Sequence, residues 1–142
     1  MDGLLLEPTR VTPLVYFDRK YALLELRGCS SPENAVAFYD KVLGHLKSFA
    51  KKNTNFTTNI KLEYFNTSST KCLFSLFNVL STIGQKNNVI INWYCEMEDD
   101  DMKETAEDFA TFFPFDLNII EIDSFDDFAD YPTQIGDLSK EE

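Results

Sequence analysis

The chain has 142 residues, 44% of them hydrophobic and 14% aromatic, with 24 acids against 13 bases and a formal net charge of -11. A single hydrophobic core commonly serves about 100 to 200 residues, so one domain is expected, and the apolar content argues against wholesale disorder. The negative charge argues against nucleic acid and against anionic membrane surfaces, both of which draw affinity from Lys and Arg. The charge is also unevenly placed: residues 1–95 hold 7 acids and 11 bases, residues 96–142 hold 17 acids and 2 bases. Cys29, Cys72 and Cys95 form no close pair and read as reduced thiols, not as a disulfide framework or a zinc site. No secretory pattern opens the sequence, and no apolar run approaches the roughly 18 residues of a membrane span. A cytoplasmic location and no membrane insertion are the expectations.

Leu14 to Asp18 and Tyr21 to Gly28 are β-favourable runs joined by Arg19-Lys20, which predicts an opening hairpin, and Leu4 to Glu7 predicts an edge strand before Pro8. Ser30-Ser31-Pro32-Glu33 combines a capping hydroxyl, an early-turn Pro and an acid suited to a helix start. From there Ala35, Val36, Tyr39, Val42, Leu43, Leu46, Phe49 and Ala50 recur at helical spacing to about Lys51. Phe56, Thr58, Ile60, Leu62 and Tyr64 alternate with Thr57, Asn59, Lys61, Glu63 and Phe65 at the period of a strand.

Cys72, Leu73, Leu76, Phe77, Leu80 and Ile83 restore helical spacing from about Ser69, with Gly84 as a left-handed stop. Val89 to Cys95 reads as a buried strand. An acidic loop follows, then a helix with Met102, Ala106, Phe109, Phe112 and Phe113 before Pro114, then a strand from Leu117 to Ile122. Ser124 to Asp127 has capping-box spacing and predicts a short helix before Pro132, and the residues from about Thr133 are expected to be mobile. This order implies an α/β fold: one open mixed sheet of five to six strands, an N-terminal hairpin plus parallel strands, with three to four helices. A domain over residues 1–123 with an acidic extension over 124–142 is the expected division.

Thr67-Ser68-Ser69-Thr70 places four hydroxyls where a strand ends and a helix begins. Binding sites gather at the carboxyl ends of strands in open α/β sheets, and a helix start offers unpaired N–H donors that favour an anion. With Ser68 or Ser69 as the N-cap, Thr67 falls at the outer lip of the junction. A phosphate there adds about 1.5 to 2 negative charges and three acceptor oxygens, enough to reject a partner surface shaped for a neutral hydroxyl. The plainer reading is that the hydroxyls only cap the helix of a constitutive structural or interaction domain. A third reading is a small-ligand binder using the same strand-end site.

Tyr64-Phe65-Asn66-Thr67-Ser68-Ser69-Thr70-Lys71, Ile91-Asn92-Trp93-Tyr94, and Asp101-Met102-Lys103-Glu104 with Ala106-Glu107-Asp108-Phe109-Ala110 resemble the SiaC family of bacterial regulatory phosphoproteins, over roughly residues 8 to 122. Ser31-Pro32-Glu33-Asn34 also looks like that family's first helix start. The family is similar in fold to STAS domains, the anti-sigma factor antagonists. The resemblance implies a phosphoacceptor at Thr67, with Asn66, Ser68, Ser69 and Thr70 as its setting. It implies three protein partners: a kinase related to anti-sigma factors, a PP2C-type phosphatase, and a target that the unmodified form binds, in characterised members a diguanylate cyclase. Ala106 stands where the pattern has Gly, and the sequence after about Ser124 is peculiar to this chain.

Glu96, Glu98, Asp99, Asp100 and Asp101 lack the Gly and terminal Glu of a calcium loop and read as a solvated acidic loop. His45 has no ligand pair near it and reads as a surface residue. Nucleophile elbows, phosphate-binding Gly loops and zinc spacings are absent from the sequence, so catalysis, cofactor and obligatory metal are not expected. Phe65 and Phe74 sit off the apolar stripes of their elements, with core placement ahead of a partner patch; the remaining aromatics, Phe112 among them, read as core.

Overall fold

The computed structural model describes residues 2–128, of which Asp127 and Phe128 are placed by backbone alone. Six strands form one sheet in sequential order: β1 (Gly3–Leu6), β2 (Leu14–Asp18), β3 (Leu23–Ser30), β4 (Asn55–Phe65), β5 (Asn88–Glu96) and β6 (Asp116–Ile122). The first two pairings are antiparallel and the next three parallel. The parallel strands are joined by α1 (Ala35–Lys47), α2 (Thr67–Gly84) and α3 (Asp100–Phe112). The expected mixed α/β architecture is therefore observed.

Right-handed crossovers that always step to the next strand in the same direction must place every helix on the same side. The core obeys this geometry. Tyr39, Val42 and Leu46 of α1, Leu73, Leu76 and Phe77 of α2, and Ala106 and Phe109 of α3 all join one buried cluster with Val15, Phe17, Leu24, Leu26, Ile60, Leu62, Ile91 and Trp93 of the strands. Trp93 and Phe77 are fully buried and stack their rings into Phe109, which ties α2 and α3 to β5.

Several boundaries differ from the sequence reading for identifiable reasons. Tyr21 and Ala22 belong to the turn, where Asp18 Oδ1 accepts the Tyr21 N–H at 3.1 Å and Ala22 takes a φ of 51°, so β3 begins at Leu23. The Ser30-Ser31-Pro32-Glu33 segment does not cap α1: Ser30 closes β3, and Asn34 caps the helix by accepting the Ala37 N–H. That helix ends at Lys47. Gly84 is the last residue of α2 and Gln85 its right-handed C-cap, so no left-handed stop is used. Ser124 accepts the Asp126 N–H at 3.1 Å, and the short helix is a single 3-10 turn, Phe125–Phe128. The segment expected to be mobile, from about Thr133, lies outside the described residues.

A bulge in β4 decides what reaches the strand end. Gly28 pairs with Leu62 but Cys29 pairs with Tyr64, so Glu63 is an extra residue against β3. Gly28 adopts a φ of 115°, which a side-chain-bearing residue resists, and so accommodates the irregularity. Past the extra residue the alternation inverts. Tyr64, expected inside, is 56% exposed, while Phe65, expected on the opposite face, packs against Trp93 in the core.

Candidate functional site

The junction between β4 and α2 is closed by Asn66, not by Ser68 or Ser69. The Asn66 side-chain oxygen accepts the Ser69 N–H at 2.9 Å, its carbonyl accepts the Thr70 N–H at 3.0 Å, and its own N–H donates to the Ser30 carbonyl at 3.0 Å. Asn ranks with Ser and Asp as a cap, and here it precedes the hydroxyl run and takes the position first. Thr67, Ser68, Ser69 and Thr70 are thus all inside the first turn, each with a different fate.

Ser69 turns inward and is fully buried. Its hydroxyl donates to the Ser30 carbonyl at 3.0 Å and lies 2.8 Å from Ser30 Oγ, which lies 2.7 Å from the hydroxyl of buried Tyr39. Each hydroxyl has one proton, so Ser69 having donated to the carbonyl, Ser30 donates to Ser69 and Tyr39 to Ser30. Burial pushes the Tyr39 phenol up to about 12, against the Ser30 hydrogen bond, which lowers it, with Cys72 adding a smaller upward push. This relay joins α1, β3 and α2 directly beneath Thr67. Thr70 is half-buried and bonds back to the Asn66 carbonyl at 3.1 Å.

Thr67 and Ser68 remain exposed, and neither side chain makes a hydrogen bond among the described residues. Their N–H groups likewise have no acceptor there, as expected for the first positions of a helix whose cap serves the third. Two free donors at a positive helix end form a place for an anion, and no acid occupies the first turn of α2. Lys71, four residues after Thr67, adds a cation on the same face.

Thr67 also lines a groove of about 520 Å³ between the start of α2 and α3, with Tyr64, Phe65, Phe74, Asp101 and Phe112 among its walls. Phe74 spans the two helices, its ring 4.6 Å from that of Phe109 and 5.5 Å from that of Phe112. Phe112, expected in the core, is 68% exposed because it stands at the last turn of α3, beyond the reach of the sheet. The acids are partly structural: Asp99 caps α3 by accepting the Met102 N–H at 3.0 Å, and Asp100 and Asp101 lie in its first turn, where the helix dipole favours them.

Burial is the first-named cause of the raised pKa of all three cysteines, so none is a thiolate nucleophile at neutral pH. Among the described residues no three His, Cys, Asp or Glu side chains gather as metal ligands, and no helix is long and apolar enough to cross a membrane. Ser30 and Tyr39 are the site residues that sequence reading missed: Ser30 looked like a cap and Tyr39 like core. Spacing carries no signal for a contact between residues 39 positions apart.

A one-sided α/β sheet with an accessible hydroxyl at a strand-to-helix junction defines a small regulatory domain. The chain belongs to the SiaC family of regulatory phosphoproteins, whose family model matches residues 6–122. Among solved structures it is similar to apo-SiaC from Pseudomonas aeruginosa, at 26% identity and a TM-score of 0.77, covering 84% of this chain and 99% of that one. It is similar also to the chain in the crystal structure of the diguanylate cyclase SiaD in complex with its activator SiaC from the same organism, at 25% identity and a TM-score of 0.78, covering 84% of this chain and 100% of that one. A further structure of SiaC from Pseudomonas aeruginosa matches at 26% identity and 0.77, covering 86% and 100%. No curated protein matches the sequence.

Proposed function

We propose that this chain is the non-catalytic switch of a cytoplasmic partner-switching circuit, with Thr67 as its phosphoacceptor. A kinase related to anti-sigma factors esterifies the Thr67 hydroxyl, a PP2C-type phosphatase hydrolyses the ester, and the unmodified form binds and regulates a target. The target is a diguanylate cyclase, in line with the SiaD–SiaC complex among the similar structures.

The observation that carries this reading is the placement of Thr67 at the first helical position, exposed, without a hydrogen bond to its hydroxyl among the described residues, and at the edge of the groove. Its neighbours support the choice. Ser69 and Thr70 are committed to internal hydrogen bonds, and Ser68 is accessible but does not line the groove. A phosphate on Thr67 sits beside the two free N–H donors and Lys71, so the fold tolerates it. A partner packed over the same rim must instead bury a dianion, which costs several kcal/mol unless the partner supplies cations. The modification therefore acts on the interface and leaves the domain folded.

Intact-mass analysis after incubation with the cognate kinase, followed by peptide mapping, tests the assignment: one phosphate on Thr67 is expected. Phosphate on Ser68, or none, overturns it. Pull-down of the cyclase by the unphosphorylated chain, and its loss after phosphorylation, tests the direction of the switch.

A further inference from the structure

The sheet has a second face, turned away from all three helices. Along the strands it alternates with the core positions and carries Tyr16, Glu25, Asn59, Lys61, Asn92 and Tyr94. It is an organised polar surface. Asn92 donates to Asn59 at 3.0 Å and Asn118 to Asn92 at 3.1 Å, a ladder across three parallel strands in register. Lys61 pairs with Glu25 at 2.9 Å.

Burial on this face is far greater than neighbouring side chains in one sheet can supply. A tyrosine standing upright on a bare sheet keeps the end of its ring in water, because strands flank it without lying across it. Yet Tyr16 is 0% exposed, Glu25 1%, and Asn59 and Leu23 7% each, with none of α1, α2 or α3 over them. Something lies across these residues. The chain leaves β6 through a turn at Phe125, itself only 8% exposed although it is outside the helix-side cluster.

We propose that residues 129–142 lie across this face as an intramolecular strap, making residues 124–142 an extension that covers a domain ending near residue 123. The length suffices: 14 residues, extended at about 3.3 Å each, reach roughly 46 Å, against roughly 24 Å across six strands spaced at about 4.8 Å. The chemistry is complementary. Tyr131, Ile135 and Leu138 supply apolar contacts, and Asp130, Asp137, Glu141 and Glu142 meet a face bearing Arg27 and Lys61. The family match stops at residue 122, and the similar structures are matched over 99 to 100% of their chains by 84 to 86% of this one. The strap is thus an addition to the domain shared with them. It withdraws the open face from partners and leaves the strand-end rim and the helix side available; a partner that needs the face must displace it.

A nitroxide on Ser139→Cys in the full chain tests this, with Cys29→Ser removing the only thiol that is not buried. The amides of Glu25, Asn59 and Asn92 should be broadened and those of the outer turns of α1 and α2 should keep full intensity. Broadening on the helix side, or nowhere, overturns the strap. Broadening that appears when isotope-labelled chain without the nitroxide is mixed with nitroxide-bearing chain assigns the contact to a second copy and also overturns it. As an independent reading, Tyr131→Lys, Ile135→Lys and Leu138→Lys together should raise the acylation rate of Lys61 several-fold, measured by peptide mapping at unchanged circular dichroism. An unchanged rate counts against the proposal.

Discussion

The hydroxyls of Ser30 and Ser69 lie 2.8 Å apart with no exposure to solvent, although 39 residues separate them in the chain. They fasten the end of β3 to the first turn of α2, so the start of that helix is held from inside while its outer side stays free. Ser69→Ala removes the donor to the Ser30 carbonyl and the acceptor of the Ser30 hydroxyl together. Leaving such buried groups unsatisfied costs about 1 to 3 kcal/mol, whereas Ser68→Ala, at an exposed position, stays within about 0.5. Urea denaturation of the two variants beside the parent checks the difference.

Asn66 and Thr67 separate stability from signalling. Asn66→Ala removes the N-cap and lowers stability by about 1 kcal/mol. Thr67→Ala removes no hydrogen bond formed among the described residues and leaves thermal unfolding nearly unchanged, while abolishing phosphate incorporation and fixing the chain in its target-binding state. If Thr67→Ala unfolds at markedly lower denaturant than the parent, the hydroxyl has a structural role that the geometry does not assign it.

How legible all this was in the sequence depends on the range of the interaction. Periodicities of 3.6 and 2 are local, so α2, α3 and the strand order were readable, and with them the junction that carries Thr67. The choice of cap was a competition among adjacent Asn and hydroxyl residues, each a good acceptor, and only the backbone turn at Asn66 settles it. The β4 bulge was invisible because the alternation from Phe56 to Phe65 runs on unbroken in the sequence; the irregularity arises against Gly28 on another strand. One inserted residue exchanges the faces of Tyr64 and Phe65, and so changes which aromatic lines the site and which supports the core. Phe112 keeps its helical phase, but α3 has outrun the sheet by then.

Glu25 and Lys61 offer a test of the second face. The Glu25 side chain is 2% exposed and that of Lys61 13%, and one Glu25 oxygen, Oε2, has no hydrogen-bond partner. Breaking a buried pair by removing one member strands the other charge, at a cost of about 3 to 5 kcal/mol, whereas replacing both by apolar groups is often neutral. Lys61→Met is therefore strongly destabilising, and adding Glu25→Leu to it restores most of the loss. Denaturation midpoints of the single and double variants measure the recovery.

Tyr39 predicts a pH dependence with a definite sign. An unperturbed tyrosine titrates near 10, and burial raises Tyr39 to about 12 in the folded chain. Between these values the unfolded chain has released the proton and the folded chain has kept it. Stability falls as pH rises wherever the folded state binds more protons, so this contribution is fully present below about pH 10 and is lost on the way to about 12. Tyr39→Phe removes the titrating group and the donor to Ser30, costing about 1 kcal/mol near neutrality. Above pH 10 the variant should lose stability less steeply than the parent, other tyrosines contributing equally to both. Denaturant midpoints for the two proteins, taken from neutral pH to pH 12, should converge; parallel curves throughout that window would place the Tyr39 hydroxyl in contact with solvent.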